Sequence, residues 1–221
     1  MKKLLASALL SATVLGAGLA VSSNANAATL PDGAKTNASV SFKAGDGTKP
    51  IDPVDPTDPT KPPVDPGTDN PGNLAIVYAT QNVDFGGDLA IPTQAMVYKS
   101  NKMVSLEVGD VRGTDAGWAL SVKADDFKSG SDILKGAKIS IDESKDVSVA
   151  GSAEGTVTAV SKAVTDATTA SVALNAVKGT GSGVTIDNLA AGSIKLAVPA
   201  GTAKAQAYSS TMNWTLSDVP A

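Results

Sequence analysis

Apolar and polar residues alternate through much of the chain beyond residue 74. Val104, Leu106 and Val108 are separated by Ser105 and Glu107, and Ile194, Leu196 and Val198 by Lys195 and Ala197. A period of two puts one set of side chains on one face of a strand and the other set on the opposite face. Comparable stretches recur at 74–79, 95–98, 103–108, 118–122, 137–141, 156–160, 170–177, 184–186, 193–198 and 210–217, punctuated by Gly, Asn and Asp. The alanine-rich piece 159–176 has helix-favouring residues, yet Val172, Leu174 and Ala176 keep the strand spacing among abundant Thr and Val. Many short strands and no amphipathic helix predict an all-β chain, an antiparallel β-sandwich or barrel-like domain. With Phe 3, Tyr 3 and Trp 2, the core is expected to be built from Val, Ile, Leu and Ala.

Two segments depart from this pattern. Met1, Lys2 and Lys3 precede an apolar run reaching Val21, and Ala25-Asn26-Ala27 follows, which predicts a secretory signal peptide over 1–27 cleaved before Ala28. Because that segment carries Lys2 and Lys3 and no acid, its removal takes the formal charge from -4 to -6. No later apolar stretch has spanning length, so the mature chain is expected not to be integral to a membrane. No Cys follows for lipidation, and 211–221 lacks the apolar tail and basic residues of a sortase substrate. Retention at a surface would then be non-covalent.

The second departure is 46–73, where Asp and Pro recur in a three-residue rhythm and eight of the 12 prolines fall between Pro50 and Pro71. Spaced prolines favour polyproline II, so an extended, solvated spacer is expected. Just before it, Ala38, Val40 and Phe42 alternate in 36–42 and predict a first strand. A lone strand needs a partner, so 46–73 is expected to be a long Asp/Pro-rich loop or linker within one domain, 28–221.

Composition then limits the chemistry. With no Cys and no His there is no disulfide, no usual zinc or haem ligand set, no thiol nucleophile and no histidine-based triad. The negative charge argues against a nucleic-acid partner, whose phosphates are met by clustered Lys and Arg. Asp125-Asp126 and Asp142-Glu143 raise a glycosidase pair, but neighbouring residues point to opposite faces of a strand and surface turns explain such doublets. Asp84, Asp88, Asp110 and Asp115 carry oxygen donors suited to calcium, which needs roughly six to eight, yet neither stretch has the spacing of a calcium loop. Gly179-Thr180-Gly181-Ser182-Gly183 lacks the lysine and following helix of a phosphate loop and reads as a flexible loop. No catalytic residue, metal or cofactor is assigned, and a non-enzymatic binding role is expected.

Both tryptophans stand in the same local pattern, Trp118-Ala119-Leu120 and Trp214-Thr215-Leu216, each Trp sharing a strand face with its Leu. The loop 109–117 before the first is short enough to join 103–108 and 118–122 as a hairpin. With these motifs the chain resembles the WxL-domain family of Gram-positive surface proteins, as a small, nearly domain-only member. The resemblance is carried by TNASVSF, IDPVDPTDP, LAIVYATQNVDFGG, VRGTDAGWALSV and LAVPAGTAKAQAYSSTMNWTLSDVPA. It implies non-covalent attachment to the peptidoglycan of the cell wall, and a surface assembly with a membrane-anchored WxL-interacting protein and other WxL proteins. In a second reading the Trp motifs bind that membrane-anchored protein and wall binding is incidental.

Aromatic rings suit sugars, because a sugar's C–H face packs on a π face while polar neighbours bond its hydroxyls. Trp118 and Trp214 are therefore candidate stacking platforms, with Tyr208 at the rim and Leu120 and Leu216 in support. Packing of both Trp–Leu pairs into the core is the competing placement.

Overall fold

The alternating stretches form strands in the computed structural model, which describes residues 37–63, 65–150, 157–159 and 162–221. The expected signal peptide, 1–27, lies outside them. In chain order the strands are β1 (Leu74–Ala79), β2 (Met96–Lys99), β3 (Val104–Asp110), β4 (Trp118–Ala124), β5 (Lys128–Ser129), β6 (Asp132–Ile133), β7 (Lys138–Asp142), β8 (Val147–Val149), β9 (Thr158–Ala159), β10 (Lys162–Thr165), β11 (Ser171–Ala176), β12 (Gly183–Leu189), β13 (Ile194–Val198) and β14 (Met212–Ser217). No helix occurs among the described residues, and none therefore is long and apolar enough to cross a membrane.

The strands build three four-stranded antiparallel sheets, ordered β1-β3-β12-β8, β10-β7-β13-β2 and β14-β4-β11-β9, with β5 and β6 as a small separate pair. All three sheets feed one apolar cluster. Val104, Leu106 and Val108 enter it from the first, Ile139, Ile141, Ile194 and Leu196 from the second, and Trp118, Leu120, Val122 and Leu174 from the third. The architecture is all-β and sandwich-like, and its core is dominated by the aliphatic residues that the composition called for.

β3 is buried along its whole length. Its Val104, Leu106 and Val108 face the shared core, so Ser105, Glu107 and Gly109 must be covered from the other side. The Asp/Pro tract does this. A Cβ added at Gly109 would lie 2.9 Å from Ile51 Cδ1, the Val54 N–H donates to Glu107 Oε2 at 3.1 Å, and Asn188 Nδ2 donates to the Pro56 carbonyl at 2.9 Å. Ala75, Val77, Tyr78 and Ile186 are buried on this outer face, apart from the central cluster.

The tract is therefore not the extended, solvated spacer that its prolines suggest. Its rhythm encodes turns: Asp46, Asp55 and Asp58 each accept the N–H and the hydroxyl of the Thr two residues on, Thr48, Thr57 and Thr60. Residues 37–42 form no strand, and Val40 and Phe42 are 78% and 91% exposed, so alternation there does not mark a half-buried face. The tract instead binds the outer edge of β1, where the Thr68 N–H reaches the Val77 carbonyl at 2.9 Å and Asn70 Nδ2 the Ile76 carbonyl at 3.1 Å.

The hairpin expected between β3 and β4 is also corrected, since β3 pairs with β1 and β12 whereas β4 pairs with β14 and β11. The connecting loop turns the chain out of the first sheet through left-handed backbone at Gly113, Asp115 and Gly117.

Candidate functional site

The two Trp motifs lie on adjacent strands of one sheet. β14 runs antiparallel to β4 with Leu216 opposite Leu120 and Trp214 opposite Val122, so both tryptophans sit on the sheet face turned to the core. β4 is a central strand and β14 an edge strand, and this decides their fates.

Trp118 is 0% exposed, as is Leu120. The Trp118 indole N–H donates to the Gly181 carbonyl at 3.0 Å, which satisfies the polar end of an otherwise apolar side chain. The glycine-rich segment 179–183 is thus a cover for this ring. Gly181 has φ 82°, and a Cβ there would stand 2.5 Å from Trp118 Nε1, so only glycine fits. Trp118 and Leu120 have no surface to offer a ligand, and the platform role expected of Trp118 gives way to the core placement.

Trp214 and Leu216 are half-buried. Leu216 borders a shallow depression with Asn73, Leu74, Arg112, Ser217 and Asp218. Trp214 instead lines, together with Tyr208, a large groove of about 1200 Å³, walled by 79–92 and 203–212 and floored by Val104, Phe127, Leu134, Ile139, Leu196 and Val198. Tyr98 and Phe85 also line it, with Phe85 edge-on to Phe127 at a centroid distance of 6.3 Å. Of the five residues expected at a ligand site, the structure brings Tyr208 and Trp214 together here and leaves Leu216, Trp118 and Leu120 elsewhere.

The groove rim is polar and ordered by its own bonds. Tyr208 Oη accepts from the Lys204 N–H at 3.2 Å and from Gln206 Nε2 at 3.0 Å, leaving its own proton free to donate. Asp132 accepts from Lys204 Nζ at 2.6 Å and Gln206 Nε2 at 3.2 Å, and those bonds hold its carboxyl below the usual carboxylate range. Gln81 and Asn82 add amides on the opposite wall, and Leu89 and Ile91 are exposed apolar groups beside them. Aromatic faces flanked by amides and a free hydroxyl suit a neutral, hydroxyl-rich ligand.

Sequence reasoning missed the two walls as site elements, although they coincide with the stretches LAIVYATQNVDFGG and LAVPAGTAKAQAYSS that carried the resemblance. It also missed Arg112, the one arginine of the chain. Its guanidinium grips Asp110 through Nε–Oδ1 at 2.9 Å and Nη2–Oδ2 at 2.7 Å, and Nη2 also donates to the Gly117 carbonyl at 2.8 Å. Nη1 reaches the Asp218 carbonyl at 3.5 Å, so one side chain ties the start of the first motif to the end of the second. The Asp110 oxygens raised for calcium are thereby engaged, while Asp84 accepts from the Gly86 N–H and Asn101, and Asp115 from Ser182.

The fold is an all-β, sandwich-like one carrying paired Trp-x-Leu strands beside an aromatic-lined groove. The chain matches the family described as WxL domain, surface cell wall-binding, over residues 29–220, and belongs to it. That family is one of binding to the cell wall at the cell surface, not one of catalysis. No curated protein and no solved structure matches the chain.

Proposed function

We propose that the chain, residues 28–221 after removal of a signal peptide 1–27, is retained at the surface of a Gram-positive cell by non-covalent binding of peptidoglycan in the groove between 79–92 and 203–212. The observation that carries this is that Trp214 and Tyr208 both line that groove. Its volume exceeds that of a small-molecule pocket, roughly 300–1,000 Å³. A segment of polymer fits such an open trough better than a free small ligand does. Trp214 supplies a face for a sugar ring, Tyr208 a hydroxyl donor, and Gln81, Asn82 and Gln206 partners for N-acetyl and hydroxyl groups. Trp118 and Leu120 act from within, fixing β4 so that β14 presents Trp214 at the groove, and Leu216 packs against that frame.

The test is sedimentation of the purified chain with peptidoglycan stripped of teichoic acid. Wild type is expected to pellet, while Trp214→Ala and Tyr208→Ala, checked for fold by circular dichroism, are expected to stay in solution. Failure of wild type to pellet would reject peptidoglycan as the anchor and favour the membrane-anchored WxL-interacting protein in its place. Intact mass of the protein released from cells checks the cleavage before Ala28.

A further inference from the structure

Glu107 is an unusual residue to find at the centre of a sheet. It is 0% exposed, and its side chain lies between the outer face of β3 and the Asp/Pro tract. Oε2 accepts one bond, from the Val54 N–H, and Oε1 has no hydrogen-bond partner among the described residues. A carboxylate can accept about four bonds, so the ionised form is poorly served here and burying the neutral form costs less.

The groups around it do not relieve the charge. From the tract comes Asp55, of like sign. β1 places Tyr78 opposite Glu107, and that phenol donates to Asp65 of the tract. β12 contributes Ile186 directly opposite and Asn188 beside it, whose amide donates to the Pro56 carbonyl and to Asp146 next to β8. On its own strand, Asp110 faces the other way and is taken by Arg112. The tract's lysines are committed elsewhere, Lys61 to Asp58 at 2.5 Å and Lys49 to Asp46 at 4.0 Å.

We propose that Glu107 is an acid latch: protonated, it lets the Asp/Pro tract close over the outer face of the β1-β3-β12 sheet, and ionised, it releases the tract and uncovers Ala75, Val77, Tyr78 and Ile186. The tract is the element that moves because it is held by hydrogen bonds and a few apolar contacts, whereas the opposite face of the same sheet is locked into the shared core. Burial, against the lowering effect of the Val54 N–H and with a smaller push from the Asp55 charge, takes the Glu107 carboxyl up to about 7 from an ordinary 4.5. A carboxyl raised on closure favours the closed form fully below its open-state value, and that advantage is lost as pH rises through the closed-state value. The latch thus works between mild acid and neutrality.

The experiment is amide hydrogen exchange of the full chain from pH 5 to 8.5, corrected for intrinsic rates, comparing peptides from 50–70 with peptides from β4 and β11. Protection of the tract is expected to fall on the order of a hundredfold across that range, the part above pH 5 of what linkage gives for a carboxyl raised from 4.5 to about 7. β4 and β11 stay protected. Glu107→Gln, neutral and isosteric, is expected to hold the tract closed at every pH, while Asp187→Asn, changed on the opposite face, leaves the tract transition in place. A tract whose protection does not change with pH, or a transition that survives Glu107→Gln, overturns the latch. A carboxyl-carbon NMR titration of Glu107 in wild type needs no variant, and a midpoint in the ordinary glutamate range would overturn it equally.

Discussion

Leu120 and Leu216 stand directly opposite each other across β4 and β14. Because the strands are antiparallel, each Trp lies two residues before its Leu in opposite directions, so the motifs are point-symmetric about the Leu pair. Trp214 faces Val122, four residues along β4 from Trp118, which separates the two rings by about 13 Å of strand. One end of this symmetric pair is sealed by 179–183 and the other opens on the groove. The same triplet thus supplies a core anchor in one copy and a half-buried ring at the groove in the other.

Trp118→Ala is expected to cost about 3–5 kcal/mol, the range for removing a fully buried large aromatic side chain. Trp214→Ala, cut from an edge position, is expected to cost clearly less. Urea denaturation of both variants gives the comparison, and equal losses would contradict the division between core and groove.

The two rings also differ optically. With Trp214→Phe, the remaining Trp118 should emit at short wavelength and resist acrylamide quenching. With Trp118→Phe, the remaining Trp214 should be quenched readily and should respond to added muropeptides. A ligand response carried by Trp118 would move the site.

Arg112→Met leaves the Asp110 carboxylate, 1% exposed, buried without its partner. Breaking such a pair by removing one side costs about 3–5 kcal/mol. Arg112→Lys should recover only part of this, because an ammonium cannot make the two-pronged contact or span Gly117 and Asp218 together. Thermal melts of the two variants test the order.

Overall stability should fall as pH rises from mild acid to neutrality. Asp187 is 2% exposed on the core face of β12, its Oδ1 has no partner among the described residues, and burial pushes its carboxyl up to about 6 from 3.8. A raised carboxyl stabilises the fold fully below 3.8 and loses that effect as pH climbs through 6, a change on the order of 3 kcal/mol. Asp187→Asn should flatten this part of the profile in denaturant titrations at pH 4 to 8. Asp166, held low by Thr168, acts with the opposite sign and matters only under stronger acid, where its contribution is lost as pH falls.

Much of the fold was legible because alternation reports a half-buried face wherever it occurs. Residues 74–79 are β1 as expected, and Val104-Leu106-Val108 and Ile194-Leu196-Val198 enter the core as their spacing predicts. β8 and the β5–β6 pair were not legible, since their few residues offer too little alternation to rise above a polar background. The Asp/Pro tract was misread for a different reason. Proline reports local backbone preference, but whether Ile51 and Val54 meet water or a sheet depends on partners more than fifty positions away. The Trp motifs show the same limit, since their local sequences match and only strand order separates them. The stretches that line the groove were visible in the sequence only as carriers of the family resemblance, because nothing local to either shows that they share a groove.

The contacts that Thr68 and Asn70 make along β1 have a colloidal consequence. An uncapped strand of Leu-Ala-Ile-Val-Tyr-Ala is a template on which a second copy can add its own strand. With the tract closed, the chain prevents this by laying its own upstream segment there, rich in proline and carrying the formal charge of six Asp against two Lys between residues 46 and 73. A version begun at Leu74 would keep the shared core and lose its guard against pairing, and is expected to associate edge to edge and precipitate.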